Sequence, residues 1–500
     1  MAFLVVALGI TLAIFLIGRG GQKTKTPELT YPKEPVTLTY WRLFDDEDVF
    51  KEVLREYRAE HSNVTIKYVK KDYQTYEQDL LNALAAGNGP DIFMLKNDWI
   101  PKHLDKIAPI PEGMNLVNPV KREPQKDLPT QFKELYVPAA EQSLVVDNKI
   151  YGVPLSVDSL ALYYNANLMQ KILERRAESL STQARKTENE AEQEKISQER
   201  QRVSKLLSTP PATWDDFIEV VKVVTEKDSR GNITQPAASM GTDSNVESAA
   251  DILSLLMIQN NTQMVTADKK SAIFNLSTKK QDGSIVYPGT SALDFYTSFA
   301  REDKETYTWN SGFPNSPDAF GQQQVPMMFQ YSFYETYLKR KYPDLKFEIA
   351  PMPQIKGIVD RVDYSYFWAE TASKSTAQPV VAWDFLKFVA SKENVKAYTS
   401  LTQNPTSLKE TSKQSYQDSN SPLLKDFTGK SVFNAQSYTA TNWYKGKDPQ
   451  KVGDVFKIMI SDVVGKHQPL QTAIDTAAAS ITNILQEAEP LIEKKEEQPS

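Results

Sequence analysis

Val36, Leu38 and Tyr40 alternate with Thr37, Thr39 and Trp41, a period of two that predicts a strand. Past Asp45 and Asp46, both suited to cap a helix, Phe50, Val53, Leu54 and Tyr57 recur at helical spacing. A second strand is predicted at Val64–Val69, then a helix carrying Leu80, Leu81, Leu84 and Ala85. A turn at Gly87-Asn-Gly-Pro90 leads to a third strand at Asp91–Leu95. Strand–helix–strand–helix–strand is the pattern of an α/β fold with a parallel sheet. In such sheets ligands collect beyond the carboxyl ends of the strands, which here are Trp41–Asp45 and Lys96–Trp99. Tyr73 and Tyr76 read as surface or core helix residues.

The stretch Tyr151–Asn165 reads as a strand, a polar break at Asp158 and Ser159, and an apolar run ending in Tyr163, Tyr164 and Asn165. It has the form of a chain crossing between two lobes, with a carboxylate at the crossing. From Leu168 to Leu207 the chain is dense in both charges, holds no Pro or Gly and has few apolar residues. This predicts an exposed helix or helical hairpin stabilised by charge pairs. It could be a solvated excursion, a docking arm or a disordered segment. Folded sequence resumes at Pro210–Phe217 with a Thr-capped helix, in which Trp214 serves packing at the helix start. Strand-like Val325–Tyr331 and Lys346–Pro353 follow, then helices at Val380–Ala390 and Leu470–Ala488. A disordered tail is expected at Glu493–Ser500.

Ala2–Ile17 is apolar apart from Gly9 and Thr11. As a helix it reaches roughly 24 Å, short of the ~30 Å hydrocarbon core. Residues 1–18 are read as a transmembrane anchor or signal segment, and 19–35 as a linker. Arg19, Lys23 and Lys25 follow the run and no basic residue precedes it, which by charge bias favours a cytoplasmic following chain.

A length of 500 residues requires two or more domains. A net charge of −6 argues against nucleic acid. With no cysteine there are no disulfides or thiolate sites. His61, His103 and His467 are too scattered to suggest a metal cluster, and the motifs of phosphate-loop, serine-elbow and HExxH enzymes are absent. No cofactor, metal or catalytic residue is predicted.

Eight segments carry a family resemblance. They are Val36-Thr-Leu-Thr-Tyr-Trp41, Ala85-Ala-Gly-Asn-Gly-Pro-Asp-Ile-Phe93, Tyr151–Asn165 and Pro211-Ala-Thr-Trp-Asp-Asp-Phe217. Further on come Met327-Met-Phe-Gln-Tyr-Ser-Phe333, Tyr366-Phe-Trp368, Ala382-Trp-Asp-Phe-Leu-Lys-Phe388 and Asn442-Trp-Tyr444. In this order they resemble the extracellular solute-binding proteins of ABC importers, in the family that includes maltose- and oligosaccharide-binding proteins. The likeness covers roughly residues 36–490, and the charged arm departs from it.

The resemblance implies a two-lobed periplasmic-binding-protein-like fold with a hinge, an N-terminal hydrophobic helix and the helical insertion at 168–207. Lobe 1 would comprise residues 36–155 and 351–405. Lobe 2 would comprise 156–350 and 406–490, leaving a tail at 491–500. Crossings are expected at Val153–Ser159, Phe347–Pro353 and near Leu401–Ser407. The implied function is capture of a small solute, a sugar or oligosaccharide, on the extracytoplasmic side and delivery to an ABC permease, by a membrane-anchored monomer. A sugar site needs flat aromatics and planar polar groups. Trp41, Asp45, Asp98, Trp99 and Asp158 fit from their strand ends. By family position, Tyr331, Phe333, Trp368 and Trp443 would add walls. The residues also permit other readings. Asp45 can be a helix cap, and Trp41 and Trp443 can be core. The ligand can be a polyamine or peptide, the fold can serve a sensor, and Asp98 with Asp158 can form a glycosidase pair.

Overall fold

The alternation at Val36–Arg42 becomes the second strand of a six-stranded sheet in the computed structural model, which describes residues 29–117, 124–419 and 429–487. The hydrophobic N-terminal segment, part of the linker and the tail lie outside the described residues. Among the described residues no helix is long and apolar enough to cross a membrane.

The strand order is Val64–Lys70, Val36–Arg42, Ile92–Lys96, Trp368–Ser373, Ile107–Ala108. Val153–Pro154 joins Trp368–Ser373 from the side. The first three strands are parallel, and Trp368–Ser373 runs antiparallel to Ile92–Lys96. Both strands at the centre are almost wholly buried; Ile92–Lys96 is correspondingly apolar, while Trp368–Ser373 carries Glu370, Thr371 and Ser373 into the interior. Helices Glu47–Glu60 and Pro379–Val389 pack on the sheet through Phe50, Tyr57 and Phe385, which meet Tyr40 or one another edge to face.

Two hydrophobic cores result. The first draws on residues from Val36 to Val157 and from Phe367 to Leu408. The second draws on Leu160 to Tyr364 and on Val432 to Ile481. The second lobe is mainly helical around the antiparallel strands Met327–Gln330, Ala161–Tyr164 and Glu348–Ala350. In it Thr213 caps the helix Trp214–Val224 through its hydroxyl, and Trp214 is buried with its indole N–H on Gln259.

The chain passes between cores beside Asp158–Ser159 and again at Tyr366–Trp368. These two passages pair antiparallel, Asp158 with Tyr366 and Ser159 with Ser365. The segment Phe347–Pro353 stays in the second lobe, because Glu348–Ala350 pairs with Ala161–Tyr164. A third connection follows Leu408, near Ser407, whose hydroxyl donates to the Pro154 carbonyl.

The charged insertion is a helical hairpin, Ala166–Lys186 and Glu190–Leu207. Asn165 and Asn189 cap the two helices. It is anchored at its base by Leu168, Met169, Ile172, Val203 and Leu207, and is largely exposed elsewhere.

Candidate functional site

Aromatic side chains meet where Tyr366–Trp368 passes between the lobes. Trp368 packs edge to face with Trp99 at 5.3 Å and with Phe44 at 5.7 Å between ring centroids. Tyr73 lies against both Phe44 and Trp368. The Trp368 indole N–H donates to the Tyr366 hydroxyl at 3.1 Å. Tyr366 in turn meets Tyr331 at 4.9 Å and Phe333 at 6.0 Å. The wall thus runs unbroken from first lobe to second. Phe44, Tyr73 and Phe333 are each about half exposed, unusual for large rings on a soluble surface. Phe44 reaches this position with φ at 67°, a left-handed conformation uncommon for a bulky residue.

Charged groups close a ring beside the wall. Lys96 Nζ is 3.0 Å from Asp98 Oδ2 and sits over the Tyr366 ring. Lys445 Nζ is 3.7 Å from Asp98 on the first lobe and 3.7 Å from Asp251 on the second. Asp251 accepts the Tyr331 hydroxyl at 2.7 Å. Burial by itself would raise the Asp98 carboxyl, but Lys96 and Lys445 hold it below its ordinary value. Burial would lower the two ammonium groups, yet their anionic and phenolic neighbours raise both above the ordinary lysine value. All three groups are therefore charged at neutral pH. Asp98 Oδ1 is buried and has no hydrogen-bond partner. The cavity here is about 150 Å³. A larger depression of about 580 Å³ on the second lobe, lined by Lys227, Arg230, Tyr307 and Phe313 among others, contains none of these residues.

Five of the residues expected from sequence therefore come together: Asp98, Trp99, Tyr331, Phe333 and Trp368. Four are not part of the wall. Asp45 turns into its own lobe, where it pairs with Arg42 at 3.2 Å and accepts the Tyr398 hydroxyl at 2.9 Å. Trp41 packs at the edge of the first core under Lys71, whose Nζ lies 4.2 Å from the ring centroid. Trp443 is buried in the second core, with its indole N–H on Ser254. Asp158 lies just behind the wall. One of its oxygens accepts from the backbone N–H and hydroxyl of Ser332, and the other from the Ser159 N–H. Burial pushes its carboxyl up to about 7, with those hydrogen bonds opposing the shift. Asp158 thus holds the turn that presents Tyr331 and Phe333.

Sequence reasoning missed Phe44, Tyr73, Lys96, Asp251, Tyr366 and Lys445. Phe44 and Lys96 lie within the predicted strand ends but were not singled out there, and Lys445 stands two positions past Trp443. Asp251 carries no local signal, since it sits inside an apolar helix, Ala249–Gln259.

Comparison with known proteins bears on this cleft. The family described as bacterial extracellular solute-binding protein matches residues 52–425. A galactooligosaccharide-binding protein of Bacillus subtilis is 30% identical over 132 residues, which span 26% of this chain and 28% of that protein. A maltodextrin-binding protein of the same organism is 29% identical over 154 residues, 29% of this chain and 31% of its own length. The crystal structure of a cyclic alpha-maltosyl-1,6-maltose binding protein from Arthrobacter globiformis superimposes with a TM-score of 0.66 at 16% identity. That match covers 91% of this chain and all of the other.

Proposed function

The chain belongs to the bacterial extracellular solute-binding proteins, and from that premise we propose that it captures an oligosaccharide in the cleft between its lobes and delivers it to an ABC permease. The observation that carries this reading is the aromatic wall from Phe44 through Trp99, Trp368 and Tyr366 to Phe333. Sugar rings offer apolar C–H faces that stack on such surfaces, and hydroxyls that seek charged or planar partners. Asp98 Oδ1 supplies a free acceptor beside the wall. Partial matches to galactooligosaccharide- and maltodextrin-binding proteins support the same ligand class.

The charges disfavour a cationic solute. Asp98 is already paired with Lys96, and Asp251 with Lys445, so a polyamine gains no net attraction. Asp158 commits its oxygens to Ser159 and Ser332, which disfavours a glycosidase pair with Asp98. In this reading the protein does no chemistry on the sugar and works on the extracytoplasmic face of the membrane, tethered through Ala2–Ile17. Ligand contacting both lobes stabilises their closed arrangement, which is the state the permease receives.

Calorimetric titration with maltotriose, a galactooligosaccharide and spermidine tests the proposal. Saturable binding of one of the sugars and none of the amine is expected. Binding of spermidine alone, or release of reducing ends from the sugar, overturns it.

A further inference from the structure

We propose that Lys445 is a positioning residue for capture: held by Asp251 on the second lobe, it reaches Asp98 on the first, and this cross-lobe ion pair favours the closed arrangement. The proposal rests on the cleft being the site of capture. Its support is the way the charges divide between lobes.

Asp98 is held at 3.0 Å by Lys96, which leaves the same strand end of the first lobe. Lys445 is held at 3.7 Å by Asp251, a fellow residue of the second. Each lobe therefore carries its own neutral pair. When the lobes part, no buried charge is left alone, which would otherwise oppose opening. When they meet, Lys445 gains a second carboxylate. Such a contact is reversible, unlike an ion pair whose loss would strand a charge in a core.

The reaching side chain is also prepared for the contact. Lys445 is only 9% exposed, and its ammonium lies 5.6 Å from the Tyr364 ring centroid and 5.8 Å from that of Trp443. Its ammonium is thus already placed near two rings of its own lobe, so little side-chain entropy is lost on closure. Asp251 has a second tie through the Tyr331 hydroxyl, which links the ion pair to the aromatic wall. Trp443, expected to wall the ligand, serves this lysine from the second core.

A contact that forms on closure raises the closed fraction without touching the sugar. Apparent affinity then follows that fraction. For a cross-lobe ion pair of ordinary strength the effect is about threefold. It also makes the binding of an uncharged sugar depend on salt.

The full chain has no cysteine, so exposed Asp72 and Ile458, one on each lobe, can carry spin labels through D72C and I458C. Dipolar distance distributions are measured without sugar at low and high ionic strength, then with maltotriose. The closed fraction of the parent should fall as salt rises. Lys445→Met should lower it about threefold at low salt and abolish the salt response. Lys445→Arg should retain both, and Asp98→Asn should behave as Lys445→Met does. Lys445→Met should weaken maltotriose affinity in proportion to the closed fraction lost, whereas Asp98→Asn also alters an acceptor beside the wall and is read on the sugar-free distribution alone. If Lys445→Met and Asp98→Asn both leave the sugar-free distribution and its salt response at parental values, the latch is wrong, whatever the ligand proves to be. If maltotriose and galactooligosaccharides shift no distribution while the variants alter the sugar-free one, the latch stands and the capture reading fails.

Discussion

Two strand ends of the first lobe look alike in sequence and end differently. Arg42–Asp45 and Lys96–Trp99 each offer a cation, an acid and an aromatic ring at the carboxyl end of a parallel strand. At the first end the charges fold inward. Arg42 is 1% exposed, 3.1 Å from Glu370 and 3.2 Å from Asp45, and its guanidinium lies 4.1 Å from the Phe50 ring centroid. At the second end they point across the cleft, and Asp98 meets a lysine of the other lobe. The difference lies in what each strand faces. The pairing of Trp41 with Phe93 and of Phe93 with Thr371 sets Arg42 and Glu370 on one sheet face. There the helices that carry Phe50 and Tyr398 cover them. Lys96 pairs with Trp368 at the end of the two central strands, where the chain enters from the second lobe. A charge pair is structural or functional according to whether its partners move together.

The largest expected effect is at the inward end. Arg42→Met strands Glu370, whose carboxyl burial already raises. Urea denaturation should show a loss of about 3–5 kcal/mol. If the variant keeps parental stability and loses only sugar affinity, the two ends do not differ as described.

Asp158 is a third acid, satisfied internally like Asp45. Its carboxyl is raised from about 3.8 in the unfolded chain to about 7 in the fold. The stability it contributes is complete below the unfolded value and is lost as pH rises through the folded one. Between pH 4 and pH 8 the native protein should lose up to about 4 kcal/mol relative to Asp158→Asn, by denaturation at each pH. An identical pH profile for the two proteins would refute the buried, proton-binding carboxyl.

At the cleft, Trp368→Ala removes the ring shared by Trp99, Phe44 and Tyr73. Sugar affinity should fall by about 2 kcal/mol, roughly thirtyfold. An unchanged Kd would remove the wall from the site. The smallest effects sharpen the contrast. Asp45→Asn weakens its contacts to Arg42 and Tyr398, and Trp443→Phe removes the hydrogen bond to Ser254; each should cost about 1 kcal/mol of stability, with the sugar Kd within twofold of parental. A large affinity loss in either would return those residues to the ligand.

Tyr151–Asn165 was legible as a crossing because a polar break in an apolar run is a local pattern, whereas Tyr366–Trp368 entered only as part of the family likeness. They prove to be adjacent, with Asp158 opposite Tyr366. The passage expected at Phe347–Pro353 misled, since a strand running into proline looks the same whether it leaves a lobe or pairs within it. Asp251 and Lys445 were not legible at all. They lie 153 and 347 positions from Asp98 in the chain (251 − 98 and 445 − 98), so no spacing rule connects them.

What the chain determined by itself is periodic. Apolar residues at intervals of two and of three to four set the opening strands and helices and their parallel pairing, since each depends on which side of a short element is apolar, and dense charge with few apolar residues set the exposed hairpin. What only the tertiary structure decided is direction: Arg42 and Asp45 inward, Lys96 and Asp98 across, Trp443 into a core and Lys445 out of it. Both kinds of outcome use the same residue types. Desolvation and Coulomb attraction act through space, so the fate of a charge depends on the distant groups that the fold brings within a few ångströms.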